Sequence, residues 1–465
     1  MDTRKETDSM GTVEVPRDAW YGAQTQRALN NFTITPRPLP LRFIRALLLI
    51  KRSAAEANGN LGLLSLELAS AIIAAIDALL AGNYAPHFPV PVLQTGSGTS
   101  SNMNANEVIS TIVRRDHGLA CSPNDHVNMS QSSNDVIPSA LQVSAALILD
   151  DAVLPALEGL AAIIREKAAE HKEVVKTGRT HLMDALPIRF SRELEGWAAQ
   201  LDDNTLRLQS VLQRLRLLPL GGTAVGSGVN CPQPFVDQAL DALTRTSGFS
   251  FAAMPSPYQG LSSIDTILET SGQLKVCAVT LMKIANDLRW MNSGPAGGLG
   301  EIVLPALQPG SSIMPDKVNP VIPEAVCMAA ARVIGNDTSI TIAAQSGNFQ
   351  LNTMLPLAAA DLLESAELIA GAARDLGGKA IAGMVVRREH MSRPLSTNPI
   401  LVTALAPQVG YLQAAAIAKQ ARQEGRPILD VALETTDLDR EVLERLLDPE
   451  YLADGGDRNA PNPSR

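Results

Sequence analysis

The strongest constraint on this chain is a long seam of small aliphatic residues. Val136, Ala140, Val143, Leu147, Leu154, Leu157, Ala161, Ile164 and Ala168 recur at steps of three and four, or one double step, with Asp150 the only interruption. That period puts them on one face of an α-helix. A helix of about 35 residues is about 50 Å long, too long for one compact globule to surround, so it needs neighbours of its own length. Segments 186–218, 262–292, 320–347 and 354–377 carry similar patterns. Five long helices with narrow apolar seams predict an elongated bundle, and a seam on more than one face would predict lateral association between chains. Pro155 lies inside the first helix and is expected to kink it or remove one hydrogen bond.

Composition agrees with helices. Apolar residues make up 45% of the 465 positions and aromatics only 3%, so the core is built from small aliphatics. The expected fold class is all-α. Residues 1–40, rich in Pro, Asn and Thr, read as an extended arm, and 41–82 as helix broken near Asn58–Gly62. The stretches SGPAGGLG (293–300) and LQPGSS (307–312) read as a flexible loop, 388–448 as short helices, and 453–465 as a disordered tail. The expected domains are 1–131, 132–387 (the bundle) and 388–452.

Several function classes drop out. A net charge of −9 argues against nucleic-acid binding, although a few local cations can still hold a small anion. The four cysteines form no C-x-x-C pair, which excludes a disulfide framework and a structural zinc site. The polar start MDTRKETDSMG predicts no secretory signal, and no apolar run approaches the length of a membrane span. The expectation is a soluble, cytoplasmic protein.

Four polar stretches interrupt the apolar pattern. They are Thr95–Thr99 with Asn102, Asn104 and Asn106; Ser130–Asp135; Thr177–Asp184; and Gly310–Pro320. Each is expected to precede or open a helix, where free N–H groups and the positive dipole end suit a carboxylate or phosphate. Taken singly, each also fits an ordinary helix cap and turn. Together they bring hydroxyls, amides, one His, one Lys and one Arg, with no Cys ligand and no phosphate-binding P-loop. That inventory suits a small dianion and proton chemistry without a metal. His181 stands beside Thr180 in such a stretch, whereas His87, His117, His171 and His390 have no comparable surroundings. The Gly-rich GGTAVGSG (221–228) lacks the preceding strand of a dinucleotide fingerprint.

The fourth stretch, Gly310-Ser-Ser-Ile-Met-Pro-Asp-Lys-Val-Asn-Pro320, resembles the signature of the fumarase/aspartase superfamily, and the other three resemble the family's remaining segments in the same order. GAQTQRALNNF (22–32), LMKIANDLRW (281–290) and LVTALAPQVGY (401–411) are similar to the class II fumarase branch, while VNPVIPE (318–324) and VIGNDTSITIAA (333–344) lean towards aspartase. The resemblance implies an all-α subunit of three domains with a central five-helix bundle. It implies a homotetramer whose active sites collect residues from three subunits, no cofactor, and a small dicarboxylate substrate.

It also implies roles. Ser311 resembles the catalytic serine that takes the proton, His181 the residue acting through water, and Glu324 the carboxylate orienting that histidine. Ser97, Thr99, Ser132, Ser133, Asn134, Thr180, Ser312, Lys317 and Asn319 resemble substrate-binding positions. The implied reaction is reversible hydration of fumarate to malate; the alternatives are loss of ammonia from aspartate, or a member without catalysis. Three departures stand out. Ser122 replaces a histidine common in the family's second anion site. Asp316 stands where Gly or Ala is common, and Ala296 where an Arg is common.

Overall fold

The computed structural model describes residues 2–456. Its elements run β1 (Thr3–Asp8), β2 (Gly11–Pro16), α1 (Ala23–Asn31), α2 (Leu41–Asn60), α3 (Leu66–Ala81), α4 (Thr99–His117), α5 (Ser133–Ile148) and α6 (Leu154–Glu170). Then come β3 (Val175–Thr180), β4 (Met183–Arg189), α7 (Phe190–Leu215), α8 (Gln233–Ser247), α9 (Pro257–Ser262), α10 (Asp265–Met291), α11 (Val321–Ala344) and α12 (Leu355–Asp375). Shorter helices follow. The fold is all-α with a few short strands, and each of the five long helical segments read from the seam is present.

The seam is helical from Ser133 to Glu170, and all its residues are buried except the half-buried Leu147. Pro155 is accommodated by a widened turn at Leu149–Val153, where the Leu154 N–H bonds the Leu149 carbonyl. The ladder has already changed register one residue before the proline, so the absent donor falls where the backbone pairing is being rearranged anyway.

Two expectations are corrected. The arm at 1–40 is not simply extended: β1 and β2 pair as an antiparallel hairpin, and 23–31 is helix. Gly22 offers α1 no side-chain cap. Glu107 on α4 caps it instead, accepting from the amides of Gly22 (2.9 Å), Gln24 (2.8 Å) and Thr25 (3.1 Å). A carboxylate at a helix N-terminus satisfies free N–H groups and the dipole together. The third polar stretch does not open a helix directly either; it is the hairpin β3–β4.

The described residues fall into two compact units, 2–155, 204–278 and 329–371 in one, and 156–203, 279–328 and 372–456 in the other. In the first, α2 packs on α3, α5 and α8, and its Phe43, Leu47, Leu48, Ile50 and Ala54 are fully covered. Arg214 of α7 grips Glu269 of α10 with bonds of 2.6 and 2.5 Å. Ser271 of α10 donates to Asp337 of α11 at 2.8 Å, and Asn336 donates to Ser365 of α12 at 3.1 Å. In the second unit, Arg165 of α6 pairs with Asp202 of α7, and Lys283 of α10 lies 5.6 Å over the Trp197 ring of α7. Cys327 of α11 donates to Asn286 of α10 at 3.7 Å. The short helices Tyr411–Glu424, Ile428–Thr435 and Arg440–Leu447 enclose a small core of their own around Leu405, Ile417, Val431 and Leu443. The tail expected at 453–465 is corrected at its start, where Ala453 ends a short helix and Asp454 forms a two-pronged ion pair with Arg189; 457–465 lie outside the described residues.

Candidate active site

In the first unit the hydroxyls of the first two polar stretches meet. Ser97 Oγ and Thr99 Oγ1 are 2.8 Å apart, and Thr99 Oγ1 and Ser133 Oγ 2.7 Å. Thr99 opens α4 and Ser133 opens α5, so two helix N-termini converge on one chain of hydroxyls, an arrangement suited to an anion. The glycines around Thr99 are required. Gly98 has φ 72° and faces Ile137 too closely for a side chain, and a Cβ on Gly96 would lie 1.7 Å from the Thr353 carbonyl oxygen. Ser132 and Asn134 have structural duties: Ser132 caps α5, and the Asn134 side-chain amide donates to the Ala224 carbonyl at 2.8 Å. Of these residues, Ser97, Thr99 and Ser133 join their hydroxyls into one chain.

The first unit also buries two ionisable groups to which sequence reading gave no role. Asp135 completes the capping box with Ser132 and also accepts from the amides of Gly221 (2.9 Å) and Thr223 (3.0 Å). This explains the Gly-rich 221–228 stretch: its first amides satisfy a carboxylate rather than a phosphate. Burial pushes the Asp135 carboxyl up to about 6, against the downward pull of those N–H groups. Lys51 on α2 is fully covered, and burial pulls its ammonium down to about 7. Only its place in an otherwise aliphatic helix, LLLIKRSAA, hinted at it.

In the second unit, Thr180 and His181 sit at the exposed tip of β3–β4. Thr180 pairs with Met183 across a two-residue turn in which His181 (φ 56°) and Leu182 (φ 62°) are both left-handed. Such turns favour Asn-Gly; His-Leu there is strained, and strain of this kind collects at functional positions. Leu182 and Met183 beside it are exposed as well. The hairpin is fixed from beneath. Arg179 donates to Glu301 at 2.8 Å, and Lys176, almost wholly buried, lies 3.0 Å from Glu193. Lys176 Nζ also stands 2.9 Å from Glu301 Oε2, an ionic contact whose angle misses a hydrogen bond.

The fourth stretch is a closed loop before α11. The Gly310 N–H donates to the Lys317 carbonyl at 2.8 Å, and Asn319 Nδ2 donates to the Gly310 carbonyl at 2.7 Å. A Cβ on Gly310 would meet the Lys317 oxygen at 2.2 Å, which is why glycine stands there. Inside the loop, Ser311 Oγ accepts from the amides of Ile313 (3.2 Å) and Met314 (3.0 Å). Ser312 and Lys317 are exposed, and Glu324 lies in the first turn of α11. Asp316 has φ 68°, so the site where Gly is common is a left-handed one, which Asp tolerates better than most residues. Lys317, Asn319 and Glu324 line a cavity of about 820 Å³ that Arg289, Asn286 and Arg387 share. Among the described residues, no hydrogen bond or ion pair joins His181 to Glu324 within the chain.

The neighbouring SGPAGGLG stretch is stitched rather than loose. Gly300 N–H donates to the Ser293 carbonyl at 2.9 Å, and Leu299 N–H to Ser293 Oγ at 3.0 Å. At the altered second anion position, Ser122 Oγ donates to Asp125 at 2.8 Å, and its own N–H donates to His126 Nδ1 at 3.0 Å. No group of three or more His, Cys, Asp and Glu side chains could hold a metal ion among the described residues.

Comparison with known proteins places this arrangement. Residues 11–335 match a family described as Lyase, and 401–454 match one described as Fumarase C C-terminus. The chain is 56% identical over 455 residues to Fumarate hydratase class II 2 of Pseudomonas aeruginosa, covering 98% of this chain and 99% of that protein. It is 53% identical to Fumarate hydratase class II of Xylella fastidiosa, covering 97% and 96%. Among solved structures, a class II fumarase from Schistosoma mansoni superposes with TM-score 0.95 at 35% identity, covering 97% of this chain and 99% of that one. A Brucella melitensis fumarate lyase:delta crystallin, solved bound to cobalt, gives 0.92 at 42%, covering 97% and 100%.

Proposed function

Since this chain belongs to the lyase family of the class II fumarate hydratases, we propose that it interconverts fumarate and L-malate by anti addition and elimination of water, with the residues described above in the following roles. The observation that carries the reading is the state of Ser311. Its Oγ accepts two backbone N–H bonds inside a loop pinned by Gly310 and Asn319. Donors aimed at an oxygen favour its anion, and a serine needs that help to act as a base near neutral pH.

In the dehydration direction, from malate to fumarate, Ser311 Oγ takes the proton from the carbon beside one carboxylate. The electron pair stays on that carboxylate as a dianionic aci-carboxylate, which Lys317, Asn319 and Ser312 stabilise. Collapse of the pair forms the double bond and expels hydroxide. His181, through a water, protonates the departing oxygen, with Glu324 orienting the ring. Ser97, Thr99, Ser132, Ser133, Asn134 and Thr180 hold the carboxylates in register. The curated relatives side with this reaction over loss of ammonia from aspartate.

Among the described residues no hydrogen bond or ion pair joins His181 to Glu324 within the chain, and the His181 tip exposes Leu182 and Met183. Both observations support a homotetramer with each site shared among three subunits. On this reading 1–131, 132–387 and 388–452 act as its three domains. Chemistry by serine, histidine and ammonium calls for no metal or cofactor. No helix among the described residues is long and apolar enough to cross a membrane, and four unpaired cysteines suit a cytoplasmic enzyme of the tricarboxylic acid cycle.

The test follows fumarate absorbance in the ultraviolet, starting from L-malate and separately from L-aspartate. Production from malate is expected. Production from aspartate alone would replace this reading with the ammonia-lyase one.

A further inference from the structure

Lys51 is the least comfortable residue of the first unit. It is fully covered, and the buried Asp135 carboxylate acts on it electrostatically, with no direct ion pair between the two among the described residues. Desolvating an ammonium that no carboxylate touches directly costs stability, and an apolar side chain of similar length can replace such a group without loss. Its Nζ donates to Asn128 Oδ1 at 3.0 Å. The same oxygen accepts from Asn102 Nδ2 (3.1 Å) and Asn106 Nδ2 (3.2 Å), both on α4. The other end of Asn128 donates to the Gln131 carbonyl at 3.2 Å, one residue before Ser132.

Asn58, two turns further along α2, holds the rest of this strap. It donates to the Met129 carbonyl at 3.1 Å and accepts from Ser130 Oγ at 2.8 Å. Ser130 is itself left-handed, with φ 62°. The strap 128–131 is therefore tied along its length to two helices by buried polar side chains, and it delivers the chain to Ser132, Ser133 and Asn134.

We propose that Lys51 is a positioning residue for the substrate dianion: through Asn128 it fixes the 128–131 strap so that the Ser133 and Thr99 hydroxyls stand ready for a carboxylate. The proposal rests on the fumarate/malate reading above. Lys51 touches no reacting atom. Its effect belongs in substrate binding, and its cost falls on stability, so the two readouts move in opposite senses when it is replaced.

The experiment compares wild type, K51M, N128A and the double variant by malate kinetics and thermal melting. K51M is expected to raise KM about tenfold while kcat stays within about threefold, because binding common to ground and transition state is lost. Its melting temperature is expected to equal or exceed that of wild type. N128A is expected to raise KM as well, and the double variant to match the worse single variant, because both act through one contact. Unchanged KM in K51M overturns the proposal, as do additive effects in the double variant or a K51M that loses stability without losing affinity. Should K51M not fold, N128A decides: a raised KM with retained kcat supports the proposal and an unchanged KM overturns it. Inactivity of the wild type on malate is a different result, and it would remove the functional reading itself.

Discussion

Ser311 owes its candidate role to two amides, and those amides make a definite prediction. Ser311→Ala is expected to lower kcat about a thousandfold while circular dichroism and oligomeric state stay those of wild type. His181→Asn is expected to lower kcat about a hundredfold, the range for losing a positioned proton donor. A change in melting temperature alone would mark His181 as structural. Asp316 offers a test of opposite sign. Glycine would relax its φ of 68° and remove a negative charge next to Lys317, so D316G is expected to lower KM for malate on the order of twofold. Lys51 links residue chemistry to pH. Its folded pKa, near 7, lies below the unfolded value of 10.5. The unfolded chain therefore holds the proton more tightly, and this group's contribution to stability is present above 10.5 and lost as pH falls through 7. The melting-temperature advantage of K51M over wild type is thus expected to be larger at pH 7 than at pH 10.

At the scale of elements, the hairpin β3–β4 is the main departure from what its sequence suggests. Thr177–Asp184 is short, polar and followed by a helical pattern, so it reads as a helix opening. The hairpin forms because β3 buries Val175, Lys176 and Thr177 and because Glu301, more than a hundred positions away, binds its cations. Glu301→Gln leaves Arg179 without its carboxylate and Lys176 with Glu193 alone. It is expected to destabilise the protein by about 3 kcal/mol and to lower kcat, as read by thermal melting and malate assay. Helix α1 shows the same limit on sequence reading, since Glu107 supplies its cap from another helix. By contrast, the α5 capping box, Ser132 with Asp135, is local and can be read directly from S-x-x-D.

For the whole molecule, a site assembled from several chains has a consequence that single variants do not reach. If Ser311 and His181 of one site come from different subunits, mixing inactive S311A and H181N chains under subunit exchange regenerates some sites with both residues intact. Recovered malate turnover in the mixture is the expected outcome; persistent inactivity after proven exchange would place both residues on one subunit.

The sequence by itself determined the helices and the chemistry available to them. Periodicity along 136–168 and its four companions sets which faces are buried, because a helix repeats on its own pitch whatever lies beside it. Loop signatures such as Gly310–Pro320 are legible for the same reason: their turns, and the two amides on Ser311, close within ten residues. Only the tertiary structure decided which polar groups are buried together. Lys51 meets Asn128, Arg179 meets Glu301, and Gly96 meets Thr353 across large separations in the chain. Desolvation and close approach depend on what packs around a residue in three dimensions, and no local pattern encodes that.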